Sequence, residues 1–183
     1  MLKLDLGSGM NPAPGYTSVD KYAAAKPDVV HDLEVVPWPF EDSSVEEVRL
    51  SHVLEHLGET TDSFRGIIQE LYRVCAPGAL IHIAVPHPFS TAFVSDPTHV
   101  RPITPELMGL FSRKNCEHFA RIGAANSPLA LYWNVDFEIV PDTVQYAIDP
   151  EYEVWANQPG WQEMAKSRTN FVQEIRMVLR AIK

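Results

Sequence analysis

Short apolar runs separated by turn residues dominate the first half of the chain. The first run places three leucines within residues 2–6 and stops at a Gly-Ser-Gly turn. Four further runs of this kind are residues 15–20, 28–33, 45–50 and 80–85. Runs of this length bounded by glycine, proline and acidic residues are typical of β-strands. The fifth run is almost entirely apolar, as expected of a strand that is covered on both faces.

One segment has helical spacing instead. Between Asp62 and Cys75 the apolar residues recur every three or four positions, which places them on one face of a helix. Pro77 and Gly78 follow, and these residue types are common just beyond a helix C-terminus. Because strands alternate with a helix here, the pattern predicts an α/β fold with a mainly parallel sheet flanked by helices.

The second half of the chain carries weaker signals. Residues 86–105 are rich in proline, serine and threonine, and Thr104-Pro105-Glu106 predicts a helix start with an N-cap and a first-turn proline. Residues 131–140 and 143–148 are predicted strands. The apolar positions within residues 171–182 fit either one face of a helix or the alternation of a strand, so the pattern leaves both open.

Length and composition narrow the class of protein. A chain of 183 residues predicts a single domain over residues 1–183. No stretch approaches the ~18 uninterrupted apolar residues of a membrane span, and a strand beginning at residue 2 leaves no room for a signal peptide. Cys75 and Cys116 are predicted to be buried thiols, with a disulfide as the alternative. We therefore expect a cytoplasmic protein that does not contact membranes.

The net charge of the chain indicates which classes of partner to expect. The chain has 15 Lys and Arg against 24 Asp and Glu, a formal net charge of −9. Nucleic-acid binding relies on clustered basic residues, so nucleic acid is not an expected partner. A small-molecule partner is predicted, and the sequence does not determine the oligomeric state.

The first turn has the composition of a ligand site. Glycine reaches left-handed backbone without steric cost and lets a ligand approach the main chain. In open parallel sheets, ligands bind in the crevice beyond the carboxyl ends of the strands. Asp5 precedes this turn, and Asp20 and Asp32 end the second and third runs, so three acids are expected near one crevice.

Together these features resemble the class I S-adenosylmethionine-dependent methyltransferases, and the small type 11 branch most of all. The matching segments, in the family's order, are Leu4–Gly9, Tyr16–Asp20, Asp32–Asp42, Ser51–Leu57 and Leu71–Gly78 with the strand after it. The resemblance implies a Rossmann-like sheet and makes the C-terminal segment a strand in an antiparallel hairpin. It also implies an enzyme that uses S-adenosylmethionine and needs no metal.

The resemblance assigns the cofactor's methionine part to two places. The Gly7-Ser8-Gly9 turn would lie against it, with Asp5 near its amino group. Ser51 and His52, just past the fourth strand, would line the same end.

It assigns the nucleoside part to the next two strand ends. Asp20 would accept hydrogen bonds from both ribose hydroxyls, which a carboxylate does strongly. Asp32 would accept from the adenine amine, beside the backbone of Leu33.

Two departures from the family pattern lie in the first connection. Asn11 stands at the family's third glycine position, and a link containing Pro12 and Pro14 replaces the usual helix. We expect one side of the cofactor to be less covered, or covered by residues 86–104. The acceptor is expected to be chosen within residues 86–130, which carry almost none of the resemblance.

Two histidines are candidate catalytic residues. His87 and His99 lie after the fifth predicted strand, above the same crevice. Imidazole titrates near neutrality and suits a general base. The alternative for each is a loop histidine that is hydrogen-bonded to the backbone.

Three other functions compete with methyl transfer. His52-Val-Leu-Glu55-His56 matches the H-x-x-E-H pattern of a zinc hydrolase. A dinucleotide fingerprint would need glycine where Pro12 stands. A non-catalytic protein that binds S-adenosylmethionine or S-adenosylhomocysteine is the remaining alternative, favoured by the shortened first link.

Overall fold

A computed structural model describes residues 1–156 and 158–183. Within them the strands are β1 Leu2–Leu6, β2 Thr17–Asp20, β3 Val29–Val30, β4 Val45–Ser51, β5 Cys75–Pro86, β6 Phe137–Ile139, β7 Gln145–Ile148 and β8 Val172–Ala181. The α-helices are α1 Thr61–Val74, α2 Thr91–Val94, α3 Pro105–Gly109, α4 Arg113–Ile122, α5 Leu129–Trp133 and α6 Trp161–Ser167. Short 3-10 helices lie at Ala23–Ala25, Leu54–His56 and Pro150–Trp155.

All strands join one sheet in the order β3-β2-β1-β4-β5-β8-β6, with β7 also paired to β8. Strands β1 to β5 pair in parallel, and β8 is antiparallel to β5, β6 and β7. The predicted α/β class with antiparallel C-terminal strands is therefore confirmed. Successive strands are added on opposite sides of the β1–β4 pair, and such a switch point is where open sheets bind ligands.

One face of the sheet forms the core. Neighbouring strands place Leu6, Leu50, Ile83 and Met177 in one row across the sheet, and each is at most 2% exposed. The predicted apolar face of α1 lies in the same core. Its buried residues are Phe64, Ile67, Ile68, Leu71 and Val74.

The opposite face is polar and only partly covered. Lys3 pairs with Glu47 at 2.7 Å, and Arg49 donates to the buried Asp5 at 3.0 Å. No α-helix lies within residues 7–44, all of which are described, so no helix covers this face between β1 and β4. The expectation that β5 is covered on both faces is wrong, because the His82 side chain on this face is 42% exposed.

The second half differs most from the sequence prediction. The strand predicted over 131–140 is helix α5 followed by the short β6, because Asn134 adopts a left-handed backbone with φ 54° and ends the helix. Trp133 of that helix stacks on Phe111 with ring centroids 5.2 Å apart. Helix α4 was not predicted.

Both cysteines are free and buried, as expected. Among the described helices, none has the length and apolar content that crossing a membrane requires.

Glu70 joins α1 to the loop that precedes β4. Its carboxylate accepts hydrogen bonds from the Trp38 backbone N–H at 2.7 Å and from two Arg73 nitrogens at 2.8 Å. These bonds, those from Arg73 above all, lower the pKa of Glu70. A lowered pKa in the folded state stabilises the protein above the unfolded pKa of about 4.3 and less as the pH falls below it.

We expect Glu70→Gln to lower the free energy of unfolding by about 1–3 kcal/mol at pH 7, because charge-assisted bonds are lost. The difference in the free energy of unfolding between the variant and wild type should shrink as the pH falls below about 4.3. Urea unfolding at several pH values measures both. A difference that stays constant down to pH values where wild type begins to unfold would contradict this assignment.

Candidate functional site

The turn after β1 requires glycine for two separate reasons. Gly7 has φ 69° and Gly9 has φ 56°, both left-handed. A Cβ on Gly7 would also lie 2.6 Å from Cγ2 of Val53. The backbone N–H groups of Gly7 and Ser8 donate to the carbonyl of Val19 at 2.7 and 3.1 Å, which ties the turn to β2.

Asp20 ends β2 and is fixed by the backbone. One carboxylate oxygen accepts from the Gly9 N–H and the other from the Tyr22 N–H, each at 2.8 Å. A carboxylate offers about four acceptor positions, so the group can still accept two hydrogen bonds from a ligand.

Asp32 and Leu33 follow β3. Asp32 accepts from the Glu34 N–H at 3.1 Å, and Lys21 Nζ lies 3.9 Å from its other oxygen. Leu33 is buried, and its carbonyl accepts from Trp38 Nε1 at 3.0 Å. The backbone beside Asp32 is thereby held in place.

Five of the predicted cofactor residues line one cavity of about 200 Å³ at the ends of the first four strands. They are Gly7, Asp20, Asp32, Leu33 and His52. The cavity is also lined by residues that were not predicted, namely Lys21, His31, Glu34, Val53, His56 and Leu57. Its volume is below the 300–1,000 Å³ typical of ligand pockets, so a nucleoside cofactor bound here would extend onto the protein surface.

Four of the nine predicted cofactor residues do not line this cavity, namely Asp5, Ser8, Gly9 and Ser51. Asp5 is 1% exposed, and its carboxylate is occupied by the Ala13 N–H at 2.8 Å and by Arg49. Ser51 lines a larger groove of about 550 Å³ on the polar face of the sheet. That groove is lined by the last three residues of β4 and by residues 82–84 of β5. The roles predicted for Asp5, Ser8, Gly9 and Ser51 stay predictions.

His52 connects the cavity to β8. Its backbone is left-handed with φ 56°, and its Nε2 lies 2.7 Å from a carboxylate oxygen of Glu174. Its Nδ1 lies 3.5 Å from Glu55. The neighbouring Glu55 carboxylate raises the pKa of His52 against the effect of burial, and Glu174 adds to the rise.

The two candidate bases, His87 and His99, differ in which ring nitrogen carries the proton. His87 Nδ1 accepts from the Phe89 N–H at 3.2 Å, so the neutral ring carries its proton on Nε2. Burial lowers the pKa of His87. His99 Nδ1 donates to the Phe93 carbonyl at 2.7 Å, which leaves a lone pair on Nε2. The unprotonated Nε2 of His99 lies 3.9 Å from a carboxylate oxygen of Asp96. Both catalytic assignments stay predictions.

The loop after β5 packs against the wall of the cavity. Val100 N–H donates to the carbonyl of Glu55 at 2.8 Å, and Arg101 donates to the carbonyl of Gly58 at 2.9 Å. Thr98 Oγ1 lies 2.8 Å from Nδ1 of His56, which lines the cavity. Residues 98–101 thus support this wall from outside.

Residues 7–83 match a family model described as a methyltransferase domain. This segment is similar to a methyltransferase domain. It contains the glycine turn and every residue that lines the 200 Å³ cavity, although it spans less than half of the chain. The predicted resemblance to S-adenosylmethionine-dependent methyltransferases is confirmed at the level of the family, together with the enzyme class and its cofactor.

Several solved structures similar to the whole chain carry methyltransferase names. A SAM-dependent methyltransferase from Archaeoglobus fulgidus is 19% identical with a TM-score of 0.59, over 98% of this chain and 86% of that one. A Methanosarcina mazei SAM-dependent methyltransferase is 14% identical with a TM-score of 0.54, over 98% and 91%. At these identities the likeness shows a shared fold. No curated protein sequence matches the chain.

A third similar structure contains ligands. It is the 1,6-didemethyltoxoflavin-N1-methyltransferase of Burkholderia thailandensis with bound 1,6-didemethyltoxoflavin and S-adenosylhomocysteine. It is 12% identical with a TM-score of 0.54, over 100% of this chain and 71% of that one.

The methyltransferase domain does not favour the zinc-hydrolase alternative. Residues 54–56 form a 3-10 helix, so His52 and His56 do not share the face of an α-helix as that motif requires. His52 faces Glu174 and Glu55 instead.

Proposed function

We propose that the chain transfers the methyl group of S-adenosylmethionine to a small-molecule acceptor. The acceptor's nucleophilic atom forms a bond to the methyl carbon, the carbon–sulfur bond breaks, and the sulfonium becomes the thioether of S-adenosylhomocysteine. The convergence of Gly7, Asp20 and Asp32 on one cavity within the methyltransferase domain carries the proposal.

The cavity suggests where each part of the cofactor lies. Asp20 has acceptor positions left for the ribose hydroxyls, and Asp32 faces the cavity beside the backbone of Leu33 for the adenine. The Gly7-Ser8-Gly9 turn and His52 lie at the remaining end, next to the methionine part. Methyl transfer depends chiefly on alignment of the reacting atoms at about 3–3.5 Å, which such a rigid cradle provides for the donor.

The acceptor is proposed to enter beside residues 86–130 of a single domain. A second cavity, of about 310 Å³, lies where β5 ends and β8 begins, at the same edge of the sheet. It is lined in part by His87, Phe89, Glu106, Tyr146 and Trp161. Aromatic walls with a few polar groups are typical of small-molecule sites. The net charge of −9 and the 1,6-didemethyltoxoflavin bound in the Burkholderia structure support a small acceptor. A cytoplasmic location belongs to the same proposal.

Calorimetric titration with S-adenosylhomocysteine tests the cofactor site. This product is preferable to the donor because it cannot react. We expect one molecule bound per chain, and a folded protein that binds neither molecule would refute the proposal. Release of S-adenosylhomocysteine from the donor in the presence of acceptor mixtures distinguishes an enzyme from the non-catalytic binding protein.

Asp32→Ala is expected to weaken binding of S-adenosylhomocysteine by about 2- to 13-fold, because a single partly exposed hydrogen bond of about 0.5–1.5 kcal/mol is lost. The analogue with inosine in place of adenosine, which has a carbonyl where adenine has its amine, isolates this contact. Wild type should prefer the adenine form, and Asp32→Ala should lose that preference. An equal preference in both proteins would place the adenine elsewhere.

A further inference from the structure

Glu55 is a buried carboxylate without a hydrogen-bond partner. The residue is 0% exposed, and neither of its side-chain oxygens is hydrogen-bonded in the described part of the chain. Among the described residues, His52 at 3.5 Å is the one cationic side chain within ion-pair distance. A buried carboxylate costs considerable free energy unless it is paired or coordinates a metal. With His52 on one side and no hydrogen bond to either oxygen, Glu55 has capacity for a second positive partner.

Two histidines beside Glu55 present free lone pairs. Thr98 donates its hydroxyl proton to Asp96 at 2.6 Å, so its oxygen accepts from Nδ1–H of His56 at 2.8 Å. His99 uses its Nδ1–H on the Phe93 carbonyl. In both rings Nε2 is left as a lone pair. Metal-binding histidines have this arrangement, with the second nitrogen held by a carbonyl or by a carboxylate-linked group.

The three side chains converge although they come from distant parts of the sequence. Glu55 and His56 follow β4, and His99 comes from the loop after α2. One ligand atom of each lies within 4.8 Å of the other two, and the His56 and His99 ring centroids are 4.5 Å apart. Zinc–nitrogen bonds are about 2.0–2.1 Å long, so binding an ion requires the ligands to close by on the order of 1 Å.

We propose that Glu55, His56 and His99 bind one divalent transition-metal ion. Two imidazoles and a carboxylate suit Zn²⁺ and similar ions rather than Mg²⁺ or Ca²⁺, which prefer oxygen ligands. Three protein ligands leave a coordination position open, as in catalytic zinc sites. His56 also lines the cofactor cavity, so the ion lies at the wall of that cavity.

The open position suggests the class of acceptor, an inference that rests on the proposed function. An ion beside the methyl donor would bind an oxygen of the acceptor, such as a hydroxyl, and hold it in place. His99 would then be a metal ligand and not a general base. The site differs from the H-x-x-E-H motif because His99 takes the place of His52.

Zinc titration of untagged, EDTA-treated protein tests the site without any cofactor. We expect one Zn²⁺ per chain, and Co²⁺ should give visible absorption bands. Thr98→Ala removes a hydrogen bond behind His56 and should weaken Zn²⁺ binding by about 10- to 100-fold. His99→Ala removes a ligand and should weaken it further. The control His118→Ala, at an exposed histidine outside the cluster, should bind as wild type does.

Thermal unfolding separates a metal ligand from a structural carboxylate. Without metal, Glu55→Gln should melt at or above the wild-type temperature, because it removes a buried charge that has no hydrogen bond and faces His52 alone at 3.5 Å. With excess Zn²⁺ it should melt below wild type, because wild type alone is stabilised by binding. A variant less stable in both conditions, or equal Zn²⁺ affinity in all variants, would overturn the proposal. Wild type that binds Zn²⁺ but not S-adenosylhomocysteine would overturn the proposed function alone.

Discussion

Replacing Asp20 with alanine should weaken the binding of S-adenosylhomocysteine by about 10- to 150-fold, the equivalent of 1.5–3 kcal/mol for charge-assisted hydrogen bonds. The carboxylate lies at the end of β2 with two acceptor positions free, and its other contacts, to Gly9 and Tyr22, hold it in the cavity. Calorimetry measures the loss. The effect should exceed that of Asp32→Ala, because two ribose hydroxyls are involved.

Two controls separate the ribose contact from the support that Asp20 gives to the glycine turn. The 2′-deoxy analogue of S-adenosylhomocysteine should bind wild type more weakly, and Asp20→Ala should discriminate less between the two ligands. Asp62→Ala removes an exposed carboxylate at the start of α1 and should leave binding unchanged. If Asp20→Ala kept the wild-type discrimination, the ribose would not contact this carboxylate.

The position of the cavity was predictable because it depends on local rules. Parallel strands end at one edge of the sheet, so Gly7, Asp20 and Asp32, each just after or at a strand end, had to lie near one another. The first connection lacks a helix, as predicted, and Ala13 of that connection donates a backbone hydrogen bond to the buried Asp5 on the polar face of the sheet. In these segments pattern and structure agree closely.

What the sequence could not supply are contacts between distant segments. Arg49 withdraws Asp5 from the cavity through a side chain 44 residues away. His99 approaches Glu55 and His56 only because its loop folds back along the wall of the cavity. Likewise, the apolar residues before Asn134 fit a strand or a helix equally well, and the burial of Trp133 against Phe111 decides for the helix. The periodicity of apolar residues along the chain does not encode which distant residues will contact one another.

Gly7→Ala is expected to lower the free energy of unfolding by about 2–5 kcal/mol. Left-handed backbone costs a non-glycine residue roughly 1–2 kcal/mol, and overpacking adds about 1–3 kcal/mol. The overpacking arises because the new Cβ would lie 2.6 Å and 2.9 Å from the two methyl groups of Val53. Val53 is buried and lines the cavity, so it has little room to move.

Gly15→Ala is the matched control that isolates the contact with Val53. Gly15 is also left-handed, with φ 84°, but nothing lies within 4 Å of the position of its Cβ. We expect a loss of only about 1–2 kcal/mol there, and unchanged binding of S-adenosylhomocysteine. Denaturant unfolding compares the two variants. Equal losses of unfolding free energy would mean that the Val53 side chain moves to make room for the new Cβ. The requirement for glycine at position 7 would then come from the backbone conformation alone. A larger loss at Gly7, accompanied by weaker binding in the protein that remains folded, would instead show that Val53 and the glycine turn set the width of the cavity together.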